Sequence, residues 1–259
     1  MLNRKTYTLV LLLTFVLSAS GVFAQLNIPQ DTVSDNVLLT REHSFYGFIH
    51  SNGWGFGFRK GLNRDYFKKQ MYEVEFTEMC SPKQTKSTTS LSNYSKSFYY
   101  GKINACYIVR SGVGYQYLLN QKPYWSGGVE VRGFVYAGAE IALAKPIYIK
   151  YLPPTFTGNY FTDSDLSTLR YNPSNQNLSV IYSKASFFKG INQIKPYPGL
   201  YAKAGVNFEY GTYNTKITAI ETGVILDYQP KAAPIMASIK NPNLIPTVYI
   251  SFHFGKRYN

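Results

Sequence analysis

The sequence predicts an all-β chain: a closed antiparallel transmembrane β-barrel of about eight strands with long extracellular loops. Three observations lead there. An export signal opens the chain, the remainder alternates apolar and polar residues, and no second long apolar run follows. Arg4 and Lys5 make a basic start, residues 8–16 read TLVLLLTFV, and Val22-Phe23-Ala24 places small residues before a cleavage point at Gln25. That is a secretory signal peptide, too short and wrongly flanked for a spanning helix. The alternation behind it has the period of strands whose two faces meet lipid and lumen.

Composition agrees. Of 259 residues 24 are Tyr and 17 are Phe, and barrels place such residues in two interfacial belts. Mean hydropathy is −0.19, which does not argue against a membrane protein, because only half of each barrel strand faces lipid. Net charge is +13, and the signal contributes only Arg4 and Lys5 to it. A basic exported chain suits anionic lipid, lipopolysaccharide or an acidic envelope partner, and fits nucleic acid poorly. Cys80 and Cys106 are the two cysteines. With a hairpin centred near Thr88, Cys106 opposes roughly Gln70, so the two thiols are expected too far apart to bond.

The strands are expected at about 43–60, 63–79, 96–110, 112–120, 127–144, 198–211, 215–230 and 246–255. Residues 97–110 put Lys102, Asn104, Cys106 and Arg110 opposite Ile103, Ala105, Tyr107 and Val109. Residues 128–143 put Glu130, Arg132, Tyr136 and Glu140 opposite Val129, Val131, Val135, Ala137, Ile141 and Leu143. Later strands set Lys203, Asn207 and Glu209, then Glu221 and Asp227, against apolar faces, and the last sets Tyr249, Ser251 and His253 opposite Val248, Ile250, Phe252 and Phe254. In the first, Gly53, Gly55 and Gly57 share a face opposite Trp54, Phe56 and Phe58. A glycine row leaves room for large side chains from neighbouring strands.

With both ends periplasmic, the connections 145–197 and 231–245 face outward, matching the usual asymmetry of long external loops. Residues 80–95 are then left inside as a long basic segment. Domain organisation follows: signal peptide 1–24, a periplasmic segment 25–42, and a barrel over 43–259 in the bacterial outer membrane.

The inward set combines Glu73, Glu75, Glu130, Glu140, Glu209, Glu221 and Asp227 with Lys69, Lys102, Arg110, Arg132 and Lys203. An eight-stranded barrel has just enough room for its side chains, and buried charge needs partners. A paired, closed interior is therefore expected, with a narrow porin or small-solute transporter as the alternative. No metal-ligand spacing surrounds His43, His50 or His253, and no cofactor motif or catalytic set is present. The long outer loop carries partner-binding candidates: Tyr148, Tyr151, Tyr160, Phe161, Arg170, Tyr171, Phe187 and Phe188, beside several lysines. Within it, residues 163–167 (DSDLS) read as a cap for a short helix.

The stretches FIHSNGWGFGFRKG (48–61), YGKINACYIVRSGVGYQ (100–116), GGVEVRGFVYAGAEIALAKPIY (127–148) and YISFHFGKR (249–257) resemble the small outer-membrane β-barrels of the Bacteroidota, an OmpA-like class that includes PorT-like proteins. The resemblance implies a non-enzymatic structural or accessory subunit of an envelope assembly or secretion complex. It also implies that Phe252 and Phe254 serve as the aromatic part of an assembly signal, although Tyr249 stands where that signal has Gly.

Overall fold

The computed structural model describes residues 39–65, 67–87, 97–121, 128–153, 162, 164–173, 181–210, 215–237 and 241–259. The predicted signal peptide, most of the predicted periplasmic segment, and the candidates Tyr160 and Phe161 lie outside these residues.

In chain order the strands are β1 (Arg41–His50), β2 (Gly53–Asn63), β3 (Lys68–Met79), β4 (Thr85–Ser87), β5 (Phe98–Tyr100), β6 (Asn104–Asn120) and β7 (Glu130–Pro146). They continue with β8 (Tyr148–Tyr151), β9 (Ser167–Arg170), β10 (Ile181–Lys184), β11 (Lys195–Glu209), β12 (Lys216–Tyr228) and β13 (Leu244–Tyr258). Eight of them, β1, β2, β3, β6, β7, β11, β12 and β13, form a closed antiparallel barrel in which every neighbour is the next barrel strand. The ring closes where Arg41–His50 pairs with Tyr258–Tyr249. No edge is left unpaired, which is the condition for a sheet to cross a bilayer. These strands run from 10 to 17 residues, enough for a tilted crossing.

Two expected boundaries are corrected. Residues 43–60 are not one strand but the hairpin β1–β2, turning at Ser51-Asn52. Gly53 leaves the turn at φ +151°, and a Cβ there would stand 2.1 Å from the Glu78 carbonyl oxygen. Residues 96–110 and 112–120 are not two strands, because β6 runs unbroken from Asn104 to Asn120. One expected strand is two and two expected strands are one, so the barrel still has eight.

The same correction reverses the side assigned to residues 80–95. Strand ends place the β1–β2 turn and the connections after Met79, Pro146 and Tyr228 together at one end of the barrel. The other end holds Arg41, Tyr258 and the three remaining connections. All the long connections therefore share an end. The β3–β6 register also pairs Met79 with Cys106, not Gln70 with Cys106. Cys80 follows Met79 directly, so the thiols are register neighbours rather than distant, and both are free.

The glycine row works as a groove for aromatics of the adjacent strand. A Cβ at Gly55 would lie 2.5 Å from the Phe48 ring, and one at Gly57 would lie 2.5 Å from the Tyr46 ring. Outside, Phe45, Ile49, Val74, Val135, Ile141, Leu200, Val248, Ile250 and Phe252 are exposed, an apolar surface that water would not tolerate at this extent. Among the described residues no helix is long and apolar enough to cross a membrane.

Candidate functional site

The lumen is filled in three layers, each built from the inward positions of several strands. At the end holding the termini, Glu42 accepts from Lys69 Nζ and from Arg257 Nε, both at 2.9 Å, and Arg257 also pairs with Glu209. Arg132 Nε donates to Glu130 two positions away on β7 at 2.5 Å.

The middle layer centres on Arg59, Lys203 and Arg110. Arg59 bridges Glu221 at 2.7 Å and Glu73 at 2.9 Å, and its guanidinium lies between the rings of Tyr46 and Tyr136, at 4.9 and 4.6 Å. Lys203 Nζ reaches Glu75 at 2.5 Å and Glu73 at 3.4 Å. Arg110 grips Asp227 with two hydrogen bonds and contacts Glu75 at 3.3 Å and Glu140 at 3.6 Å. Three tyrosine hydroxyls donate to the same carboxylates: Tyr46 to Glu75 at 2.8 Å, Tyr201 to Glu73 at 2.9 Å and Tyr249 to Glu221 at 2.7 Å. Arg59, Arg110, Tyr136 and Lys203 are each under 3 % exposed, which closes the cross-section at this height.

Above it lies an apolar layer. Met79, Cys106, Ile108 and Ala142 are covered by Ala233, Ile235 and Met236 from the β12–β13 connection, which folds into the mouth. Gln229 ties this plug to the charged layer, its Nε2 donating to Glu140 at 3.1 Å while its Oε1 accepts from Ala233 N at 3.2 Å. A residual cavity of about 60 Å³ remains beside Cys80 and Cys106, bounded by Asn52, Met79, Gln229 and Ile245.

Three connections then interlock as a cap. β4 and β5 form a hairpin, and β10-β8-β9 forms a three-stranded sheet. Phe98, Ile149, Tyr171 and Ile181 pack as their common core. Backbone bonds join Ile103 N to Ile235 O at 3.0 Å, Ala237 N to Gly101 O at 3.0 Å and Ile147 N to Ile103 O at 3.0 Å. The DSDLS segment makes a turn at its described residues rather than a helix. Asp165 accepts from Thr162 N at 2.7 Å, and this bond with the Thr162 hydroxyl holds its carboxyl below the ordinary range.

Of the inward residues expected from the sequence, Glu73, Glu75, Arg110, Glu130, Arg132, Glu140, Lys203, Glu209, Glu221 and Asp227 face the lumen and are buried. Lys102 does not join them. It precedes β6, bridges to Met236 of the plug, and sets its ammonium 5.3 Å from the Tyr99 ring. The loop candidates divide. Tyr171 is 3 % exposed, its hydroxyl accepts from Gly101 N at 3.0 Å, and burial pushes its phenol above the usual value, so it is cap core rather than free surface. Tyr148 pairs opposite Arg170 and donates to Gln193 at 2.8 Å, while Tyr151 ends β8 opposite Ser167. Phe187 and Phe188 stay exposed at 50 % and 77 %.

Sequence reasoning missed Arg59, Glu42 and Arg257. Arg59 shares parity with Gly55 and Gly57, and that parity was the available signal. His253 hydrogen-bonds Ser251 at 2.9 Å and meets Glu221 at 3.7 Å, but both contacts use the same ring nitrogen, Nε2. A relay needs the two nitrogens to serve different partners, and Ser251 is fully buried, so the trio has no nucleophile within reach of substrate.

By sequence, no family model and no curated protein matches the chain. In three dimensions it is similar to Ail, the attachment invasion locus protein of Yersinia pestis, at 10 % identity and a TM-score of 0.38, over 84 % of this chain and 96 % of that one. Neisserial surface protein A is similar at 10 % identity and 0.39, over the same shares. The N-terminal β-barrel domain of Pseudomonas aeruginosa OprF is similar at 9 % and 0.34, over 83 % and 96 %. The likeness is one of barrel form and extends no further.

Proposed function

We propose that the chain is a sealed, non-enzymatic barrel of the bacterial outer membrane that works through its cap, as a structural or accessory subunit of an envelope assembly. The observation that carries this reading is the pairing of a blocked lumen with an ordered cap. A barrel evolved to pass solutes keeps its cross-section open, whereas Arg59, Arg110, Lys203 and four tyrosines occupy this one. The cap, by contrast, is held by its own core and sheet, which is what a contact surface needs if binding is not to cost ordering of a loose loop. The PorT-like resemblance points to the same kind of role.

The test is affinity isolation of the full chain from solubilised outer membranes after crosslinking at exposed cap positions such as Thr168 and Arg170. Recovery of a defined envelope protein, abolished by substitutions in β9, supports the reading. A protein that crosslinks only to itself or to nothing contradicts it.

A further inference from the structure

The outward-facing Lys145 has no carboxylate partner among the described residues. On β7 the inward residues are even-numbered, so Lys145 follows Ile141 and Leu143 on the wall that faces lipid, at the cap end. It pairs in register with Ala105, two positions beyond the Leu143–Tyr107 pair. It is 5 % exposed, because the turn after β10 folds back over the wall and lays the Phe187 ring 4.2 Å from its ammonium. Among the described residues no carboxylate pairs with it, and Lys184 is close enough to repel it. The Phe187 ring attracts the ammonium, but burial beside a second cation without a counterion is unfavourable, and an anion from outside the chain would offset it.

The surroundings identify that anion. Phe187 meets Tyr107 edge-on at 6.2 Å, Tyr107 stacks on Phe76 at 5.8 Å, and Phe76 meets Phe56 at 5.4 Å. This aromatic row crosses β2, β3 and β6 and ends in Phe188, which projects from the turn. Lys184 and Lys189 flank it and are exposed. The turn itself is braced: Ala185 N donates to Tyr148 O at 2.8 Å, Lys189 N donates to Ser186 O at 3.1 Å, and Gly190 sits at φ +85° against the Tyr148 ring. Cations directly above an aromatic belt on a barrel wall match a molecule with phosphate at the water boundary and acyl chains below it.

We propose that Lys145, Lys184 and Lys189, with Phe187 and Phe188, form a binding site for a phosphorylated lipid of the outer leaflet, its headgroup phosphate held by the lysines and its chains lying on the Phe56–Phe76–Tyr107 row. The proposal rests on the outer-membrane reading above and names a partner for that barrel's flank.

The experiment uses the full chain in detergent micelles and native mass spectrometry to count retained lipid, with bis-phosphorylated lipid A and its dephosphorylated form as probes. The parent retains the phosphorylated form and releases the other. Lys145→Gln/Lys184→Gln loses at least about tenfold of that retention, while Lys83→Gln/Lys86→Gln, on another connection, keeps it. Phe188→Ala, which disturbs no buried cation, weakens retention of the phosphorylated lipid and serves if the double variant folds poorly. Equal retention of both lipid forms, or an unchanged double variant, overturns the proposal. Displacement by equimolar inorganic phosphate overturns it too, since the site would then select free phosphate. A chain that fails to fractionate with outer membranes defeats the barrel's location; one that fractionates but ignores lipid phosphate defeats this inference alone.

Discussion

Arg110 reaches across the lumen to Asp227, 117 positions later in the chain, through two parallel hydrogen bonds of 2.9 and 2.8 Å. The strands that carry them, β6 and β12, are not neighbours in the barrel. This fork therefore ties opposite walls together. Truncating one member leaves a buried charge without its partner, so Arg110→Met is expected to cost ~3–5 kcal/mol. Arg110→Met/Asp227→Leu is expected to cost less than the two single changes combined. Urea unfolding of the refolded barrel, followed through Trp54, measures both.

The middle layer has more acids than bases: Glu73, Glu75, Glu140, Glu221 and Asp227 surround Arg59, Arg110 and Lys203. Glu140 meets Arg110 at 3.6 Å, longer than the other contacts Arg110 makes. Glu140→Gln removes surplus negative charge while keeping an acceptor for Gln229. It is expected to be neutral or stabilising. Glu221 is different, since it anchors Arg59, Tyr249 and Asn207 together. Glu221→Gln is expected to lower stability by ~3 kcal/mol or more. Comparing unfolding midpoints of the two variants checks the contrast.

Two glycines separate packing from propensity. A methyl group at Gly57 would press on the Tyr46 ring, which is pinned by Glu75 and Arg59. Gly57→Ala is therefore expected to cost ~1–3 kcal/mol. Gly47 faces outward with nothing within 4 Å of an added Cβ. Gly47→Ala is expected to stabilise by ~0.5 kcal/mol, because alanine gives up less backbone freedom on folding. Thermal midpoints of the two variants should move in opposite directions.

The lumen is blocked twice, by the charged layer and by the plug of Ala233, Ile235 and Met236. Replacing 231–241 with a short glycine linker removes only the second. Planar-bilayer recordings should thus show no steady current from the parent or from the shortened chain. Adding Arg59→Ala and Lys203→Ala to the shortened chain should open a conducting path.

Alternation made the barrel and most of the inward charges readable from the sequence, whereas the count of eight rests on two strand errors that cancel. Its failures share one cause. Along β1 the inward residues are even-numbered (Ser44, Tyr46, Phe48, His50), whereas along β2 they are odd-numbered (Gly55, Gly57, Arg59). That reversal of parity is the mark of a turn, and an uninterrupted run of aromatics and glycines concealed it. On β6, Arg110, Gly112, Gly114 and Gln116 keep even parity throughout, so Gly112 does not end the strand. The same parity would turn Lys102 inward, but it lies before the strand starts, where parity carries no direction. The plug and the cap could not be read at all. They depend on contacts between segments far apart in the chain, such as Ile103 with Ile235, and no periodicity encodes those.

The central claim is that odd-numbered positions of β7 touch lipid while even-numbered ones are sealed inside. Spin labels placed singly at positions 131 to 142 of the refolded barrel in vesicles test it through collision with dissolved oxygen and with a water-soluble nickel chelate. The account predicts oxygen accessibility that peaks at 131, 135, 137 and 141 and falls at 132, 134, 136 and 140, with the nickel chelate excluded from both sets. Uniform accessibility, or nickel reaching the even positions, would contradict a sealed barrel in a membrane.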